Sequence, residues 1–207
     1  QYLLRSTFHV KPGDTILFHA AAGGVGLIAC QWAKALGATV IGTVGNPEKA
    51  ELARKHGCDF PLLYQEEDWV SKVKEITDGE GVPVVYDSVG GETFMKSLDC
   101  LRPLGLLASF GQASGPVAPF DPALLAAKGS LFLTRPTLMT YTADRTDLLA
   151  SATDLFAVVQ SGEVSIEVNQ TYPLSEAAQA HRDLEARKTT GSTVLLAYTL
   201  MCICLAD

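Results

Sequence analysis

The sequence predicts an α/β domain built on a doubly wound, six-stranded parallel sheet. A strand runs straight into glycines and then into an amphipathic helix at Thr15-Ile-Leu-Phe-His-Ala-Ala-Ala-Gly-Gly-Val-Gly26. Apolar strand-like runs and helical patterns then alternate through most of the chain, the signature of a parallel sheet covered on both faces. The composition, 47% apolar over 207 residues, is that of a folded globular protein with one good core.

The first unit carries the most information. Ile16 to Ala20 reads as a buried parallel strand, and Val25, Ile28, Ala29, Trp32, Ala33 and Leu36 follow at i, i+3, i+4, i+7, i+8 and i+11, so a helix starts at about Gly24. Its first N–H groups have no partners inside the helix and point, with the positive end of the dipole, at whatever sits above the turn. A pyrophosphate suits that place. Gly23 lets the backbone approach a phosphate and Gly26 lets the helix pack close to the strand, while Ala21 replaces the first glycine of the usual G-x-G-x-x-G. Glycine-rich loops also bind S-adenosylmethionine or simply turn; it is the placement between strand and helix that favours a dinucleotide.

The second strand is Thr39 to Val44, followed by a helix that opens near Pro47, a residue suited to a first helical turn. A short third strand, Phe60 to Tyr64, precedes a helix from Asp68 to Thr77. The fourth, Val82 to Val89, has its proline at the start, where a missing N–H costs least. Gly90-Gly91 turns into a helix with Phe94, Leu98 and Leu101 on one face. The fifth strand is Leu104 to Phe110 and the sixth Ser130 to Thr134, which completes two βαβαβ halves of a Rossmann fold. A long helix from Thr142 to Gln160 ends at Ser161-Gly162. An extended piece from Ile166 to Tyr172, a helix from Ser175 to Arg187 and a strand from Ser192 to Tyr198 lie outside the six-strand count and read as part of a second domain. Residues 1–162 form the dinucleotide-binding unit on this reading, 163–198 the remnant, and 199–207 an apolar tail.

The net charge of −7 argues against a general attraction to nucleic acid or anionic membranes. Cys30, Cys58, Cys100, Cys202 and Cys204 form no C-x-x-C pair and an odd set, which reads as reduced cytosolic thiols. The opening Gln1-Tyr-Leu-Leu-Arg5 lacks the apolar stretch of a signal peptide or membrane span, and a start without Met reads as the later part of something larger.

An NAD-binding fold of this type carries an Asp or Glu at the end of the second strand to hold ribose hydroxyls. Here that end reads Gly42-Thr-Val-Gly-Asn46, without a carboxylate, and Lys49 follows where a cation meets the 2′-phosphate of NADP. Lys49 alone would read as one more solvated charge; the missing carboxylate favours NADP and weighs against a methyltransferase. Ser88, Val89, Phe110, Gly111 and Gln112 follow strands four and five at the carboxyl edge, and Tyr64 follows strand three, a place from which it covers an adenine or simply packs.

The strings FHAAAGGVGLIACQWAKALGA, IGTVGNPEKAELA, VVYDSVGG, SLDCLRPLG, SFGQASG, KGSLFLTRPTL and YPLSEAAQAHRDLEAR resemble bacterial quinone oxidoreductases, the zeta-crystallin-like, zinc-free branch of the medium-chain dehydrogenase/reductases, from about Tyr2 to Leu196. The resemblance implies NADPH-dependent reduction of quinones in a homodimer that pairs along the edge near Leu131 to Thr134, and the cysteine usage adds a cytoplasmic location. It implies phosphate-turn roles for Ala22, Gly23, Gly24 and Val25, and a 2′-phosphate role for Lys49 with Gly45 and Asn46 beside it. It also implies nucleotide contacts at Tyr64, Ser88, Phe110, Gly111, Gln112, Thr134 and Arg187, with Gln112 standing where Asn is usual. The family's N-terminal GroES-like domain, which closes over the nicotinamide and forms most of the quinone pocket, is missing, and about Ser175 to Tyr198 corresponds to its last helix and strand. The alternative reading is a catalytically silent NADPH-binding module.

His9, His19, His56 and His181 show no metal spacing, and His19 reads as a hydrogen-bonded core residue. Cys30 and Cys100 read as buried small hydrophobes. Asp87 and Ser88 tempt an acid–base assignment, but shaping the loop under the nucleotide is the stronger reading. No residue of the chain is assigned as catalytic.

Overall fold

In the computed structural model, which describes residues 1–65 and 68–197, six apolar runs pair into one parallel sheet. They are β1 (Thr15–Phe18), β2 (Thr39–Val44), β3 (Phe60–Leu63), β4 (Val82–Asp87), β5 (Leu101–Ser109) and β6 (Phe132–Thr134), in the order β3-β2-β1-β4-β5-β6. Helices α1 (Gly24–Ala35), α2 (Pro47–Lys55), α3 (Trp69–Ile76), α4 (Phe94–Cys100) and α5 (Ala123–Ala127) connect them. The chain works outward from β1 to β3, then returns to β4 and works outward to β6. The switch point therefore lies between β1 and β4, where Phe18 stands beside Gly42 on one side and Tyr86 on the other.

Side-chain alternation along each strand divides the core into two layers. Ile16, Phe18, Val40, Val44, Val84 and Tyr86 pack with Ala29, Cys30 and Ala33 of α1 and Ala53 of α2 on one face. Leu17, Ile41, Val85 and Leu107 pack with Trp69 and Val73 of α3 and Phe94 and Leu98 of α4 on the other. Each fully buried aliphatic side chain contributes about 1.5–3 kcal/mol relative to exposure.

Several boundaries differ from those expected. In α1 the buried stripe is Gly26, Leu27, Ala29, Cys30, Trp32 and Ala33, whereas Val25 is 54% exposed. The stripe is rotated because Gly26, having no side chain, lies against the turn that follows β1. A Cβ there would stand 2.3 Å from the Ala20 carbonyl oxygen and 2.6 Å from that of Ala21. β4 stops at Asp87 rather than Val89, since the Asp87 carboxylate takes the N–H groups of Val89 and Gly90. Leu101 opens β5 instead of lining α4, and a register shift opposite Val82 and Val84 lets Leu104 bulge outward with φ +60. β5 ends at Ser109, not Phe110, and β6 begins at Phe132.

The helix expected from Thr142 is two: α6 (Leu138–Tyr141) and α7 (Arg145–Gln160), the second capped by Asp144, which accepts the Thr146 N–H at 2.7 Å. α7 has no fully buried residue, although Leu155, Val158 and Val159 pack partly on the core. β7 (Val168–Pro173), a 3₁₀ turn (Leu174–Glu176), α8 (Ala177–Glu185) and β8 (Ser192–Leu196) complete the described chain. β7 and β8 pair in parallel with each other and stay outside the six-stranded sheet. Tyr198 and the tail 199–207 lie outside the described residues. No helix of the described residues is long and apolar enough to cross a membrane.

The contact at Gly26 sets a test. Gly26→Ala puts a methyl group onto backbone oxygens that cannot turn away, and should lower stability by about 3 kcal/mol, read as a fall in the urea unfolding midpoint.

Candidate functional site

Over the carboxyl edge of the sheet lies a cavity of about 380 Å³, bounded by the glycine turn, the ends of β2 and β3, the loop after β4 and residues 184–191. The glycine turn forms its floor. Ala20, two residues past β1, takes φ +55, its carbonyl accepts the Gly23 N–H at 2.9 Å, and α1 begins at Gly24, where the first N–H groups have no partners inside the helix.

The second side is basic. Asn46 caps α2 by accepting the Lys49 N–H at 2.8 Å, which sets Lys49 in the first turn above the end of β2. Lys49 Nζ donates to the Arg187 carbonyl at 2.6 Å, and the Arg187 guanidinium donates to the Tyr64 hydroxyl at 2.5 Å while standing 3.5 Å from a Glu92 oxygen. Partial burial and then the nearby Arg187 charge hold the Lys49 pKa below its ordinary value. An anion between the two cations would relieve both effects.

Arg187 reaches this place through backbone strain. The helix expected to run through Arg187 ends at Glu185, because Arg187 has φ +58, its N–H bonds to the Leu184 carbonyl and the next N–H, that of Lys188, bonds to the Asp183 carbonyl. That is a Schellman ending with arginine where glycine is usual, at a cost of about 1–2 kcal/mol. The chain then crosses the glycine turn, where the Gly191 N–H donates to the Ala22 carbonyl at 3.0 Å. Gly191 has φ +49, which strains any other residue, and a Cβ there would lie 1.8 Å from Asn169 Oδ1 and displace that side chain.

Of the residues singled out from sequence, Ala22, Gly23, Gly24, Gly45, Asn46, Lys49, Tyr64, Val89 and Arg187 line the cavity. Val25 stands exposed beside them in the first turn of α1. Ser88, Phe110, Gly111, Gln112 and Thr134 fall at the carboxyl ends of β4, β5 and β6, along the same edge but beyond the cavity lining. Gly111 is closely held there, its N–H on the Asp87 carbonyl at 3.2 Å, and Phe110 packs on Phe18 with ring centres 5.7 Å apart. Thr43, Thr93, Ala113, Leu184, Thr189 and Gly191 also line the cavity without having been singled out. Thr43 sat in a stretch read only for its lack of a carboxylate, and Gly191 was visible as a lone glycine before a strand.

Beneath the cavity Asp87 is 0% exposed. Its carboxylate accepts the N–H groups of Val89 and Gly90 at 2.8 and 3.0 Å and the Thr93 hydroxyl at 2.9 Å. His19, equally buried, meets Thr43 Oγ1 at 2.8 Å through Nδ1 and Ser97 Oγ at 2.9 Å through Nε2. Burial lowers the His19 pKa, with the Asp87 charge opposing it. Among the described residues no group of three His, Cys, Asp or Glu side chains is placed to hold a metal ion. Cys30 and Cys100 are sealed in the core as thiols, Cys30 raised well above the usual range by its contact with Cys58 and by burial, Cys100 pushed up to about 12 by burial. These side chains do not fit a zinc site.

Sheet order, glycine turn and basic cavity define a doubly wound α/β domain of the kind that seats dinucleotides at its switch point. The family model described as "Zinc-binding dehydrogenase" matches residues 24–151, and the chain belongs to that family. It is 57% identical to a quinone oxidoreductase of Pseudomonas aeruginosa over 95% of its own length and 60% of the relative's. It is 51% identical to a 2-haloacrylate reductase of a Burkholderia species over 95% of the chain and 59% of that protein. A crystal structure of Escherichia coli quinone oxidoreductase complexed with NADPH superposes with a TM-score of 0.91 at 51% identity, covering 94% of this chain and 61% of that one. The chain thus spans about three fifths of the relatives it matches.

Two measurements follow from the buried groups. Asp87→Ala strands three donors in a site closed to water and should cost about 3–5 kcal/mol in urea unfolding. The His19 pKa is lower folded than unfolded, so the unfolded chain binds the proton more readily and stability is lost as pH falls below about 6.5 toward the folded value. The slope should be at most about 1.4 kcal/mol per pH unit from this group, and smaller in His19→Gln, which does not titrate.

Proposed function

We propose that the chain is the nucleotide-binding part of an NADPH-dependent oxidoreductase that passes electrons to quinones. The observation that carries this reading is the pairing of Lys49 and Arg187 at the cavity mouth with a β2 end free of carboxylates. A ribose 2′-phosphate fits two cations and would be repelled by the acid that NAD-binding folds place there. The relative crystallised with NADPH supports the same cofactor.

On this reading Ala22, Gly24 and Val25 offer backbone N–H groups to the pyrophosphate, Gly23 lets it approach the turn, and Gly45, Asn46 and Lys49 take the 2′-phosphate with Arg187 opposite. Tyr64 packs beside the adenine. Ser88, Phe110, Gly111, Gln112 and Thr134 carry the cavity's edge onward toward the nicotinamide half. When bound, the nicotinamide supplies the electrons, and the residues of this chain bind it, orient it and keep water from its inner face. No side chain here needs to move a proton for that. Relatives named for quinones and for a 2-haloacrylate are about equally similar to this part, so the acceptor is chosen mainly by the portion of those proteins beyond it.

Residues 1–162 are proposed as the dinucleotide-binding domain, and 163–198 as the remnant of a GroES-like catalytic domain, followed by an apolar tail at 199–207. The separate β7–β8 pair supports the division. The whole protein is proposed as a zinc-free cytoplasmic homodimer; pairing along β6 is supported by the exposure of Phe132 and Leu133 on that edge strand. The exposed Leu148, Leu149 and Phe156 of α7 favour a second reading for this chain taken alone, a module that binds NADPH without turning over quinone.

Calorimetric titration tests the cofactor. NADPH should bind more tightly than NADH, and Lys49→Ala should weaken NADPH by about tenfold, some 1.4 kcal/mol, while leaving NADH within about twofold. Absence of NADPH oxidation with a simple quinone, by a chain that binds NADPH, selects the module.

A further inference from the structure

The short contact of Ser97 with a carbonyl fixes a direction for the protons of the buried polar group below the cavity. Ser97 Oγ lies 2.9 Å from the Thr93 carbonyl and 3.4 Å from the Asp87 carboxylate, both of which only accept. The single Ser97 proton must go to that side, so Ser97 accepts from His19 and the imidazole carries its proton on Nε2. A neutral imidazole protonated at Nε2 has a bare Nδ1, and Thr43 Oγ1, 2.8 Å away, must donate to it. Burial favours the neutral ring, and Trp69, its ring centre 5.1 Å from that of the imidazole and its plane turned by 81°, packs against it. The bonds thus run one way, from Thr43 through His19 and Ser97 to the Thr93 and Asp87 acceptors.

We propose that His19 is a positioning residue, which draws the Thr43 proton inward and so leaves Thr43 Oγ1 facing the cavity as an acceptor for a ribose hydroxyl of the nucleotide. The inference rests on the NADPH reading above. Thr43 is 2% exposed and is one of the residues that line the cavity, together with Gly23, Gly24 and Lys49. A ribose needs an acceptor at the end of β2, a role that a carboxylate fills in NAD-binding folds. Beside a 2′-phosphate a second anion is repulsive, whereas a hydroxyl with its own proton engaged elsewhere accepts without charge. With the 2′-oxygen phosphorylated, the 3′-hydroxyl is the donor left on that ribose.

The test uses the full chain. Nitrogen-15 spectra of the His19 ring should show a protonated Nε2 and a bare Nδ1. Thr43→Val, close in shape, should weaken NADPH binding by about tenfold with the protein still folded by its unfolding midpoint, and Thr43→Ser should restore binding to within about twofold. Thr43→Val binding as the unaltered chain does, or a proton on Nδ1, would overturn the proposal. If the unaltered chain binds neither NADPH nor NADH, the nucleotide reading itself fails and the acceptor role falls with it, even where the ring proton sits on Nε2.

Discussion

A carboxylate shut away from water has to be given donors, and the region around the switch point is arranged to give them to Asp87. The N–H groups of Val89 and Gly90 turn inward to it, which ends β4 and bends the following loop, and the Thr93 hydroxyl reaches it from the position just before α4. The same loop carries Val89 and Thr93 to the cavity and receives the Gly111 N–H through the Asp87 carbonyl. One buried charge therefore sets the strand end, the helix start and one lip of the cavity together.

The opposite lip is held by a different device. Arg187 adopts a left-handed backbone conformation, which turns its carbonyl to Lys49 and its side chain to Tyr64. Strain of that kind persists only where surrounding contacts over-determine it. Here those contacts are the Schellman bonds behind Arg187 and the bond from Gly191 to Ala22 ahead of it.

The six strands and the turn between β1 and α1 were legible because apolar runs, glycines and the 3.6-residue period are local signals. His19 was also read correctly as a hydrogen-bonded core residue, since a histidine among buried strand positions must find partners. Misjudged boundaries have a common origin in side chains that bond across the structure. Val89 was counted in β4 because nothing local shows that Asp87 will capture its N–H, and Arg187 was counted in α8 because a left-handed arginine looks like any other arginine in a sequence. Thr43 escaped notice for a related reason. Its meaning lies in a proton path through residues 19, 97 and 87, which meet only in the folded chain.

The bond from Gly191 to Ala22 joins segments far apart along the chain. Closing so long a loop is entropically unfavourable until the sheet exists to receive it, which places the docking of residues 187–191 late in folding. A ligand that binds only the closed arrangement would act as the latch of this cavity wall against exchange and proteolysis.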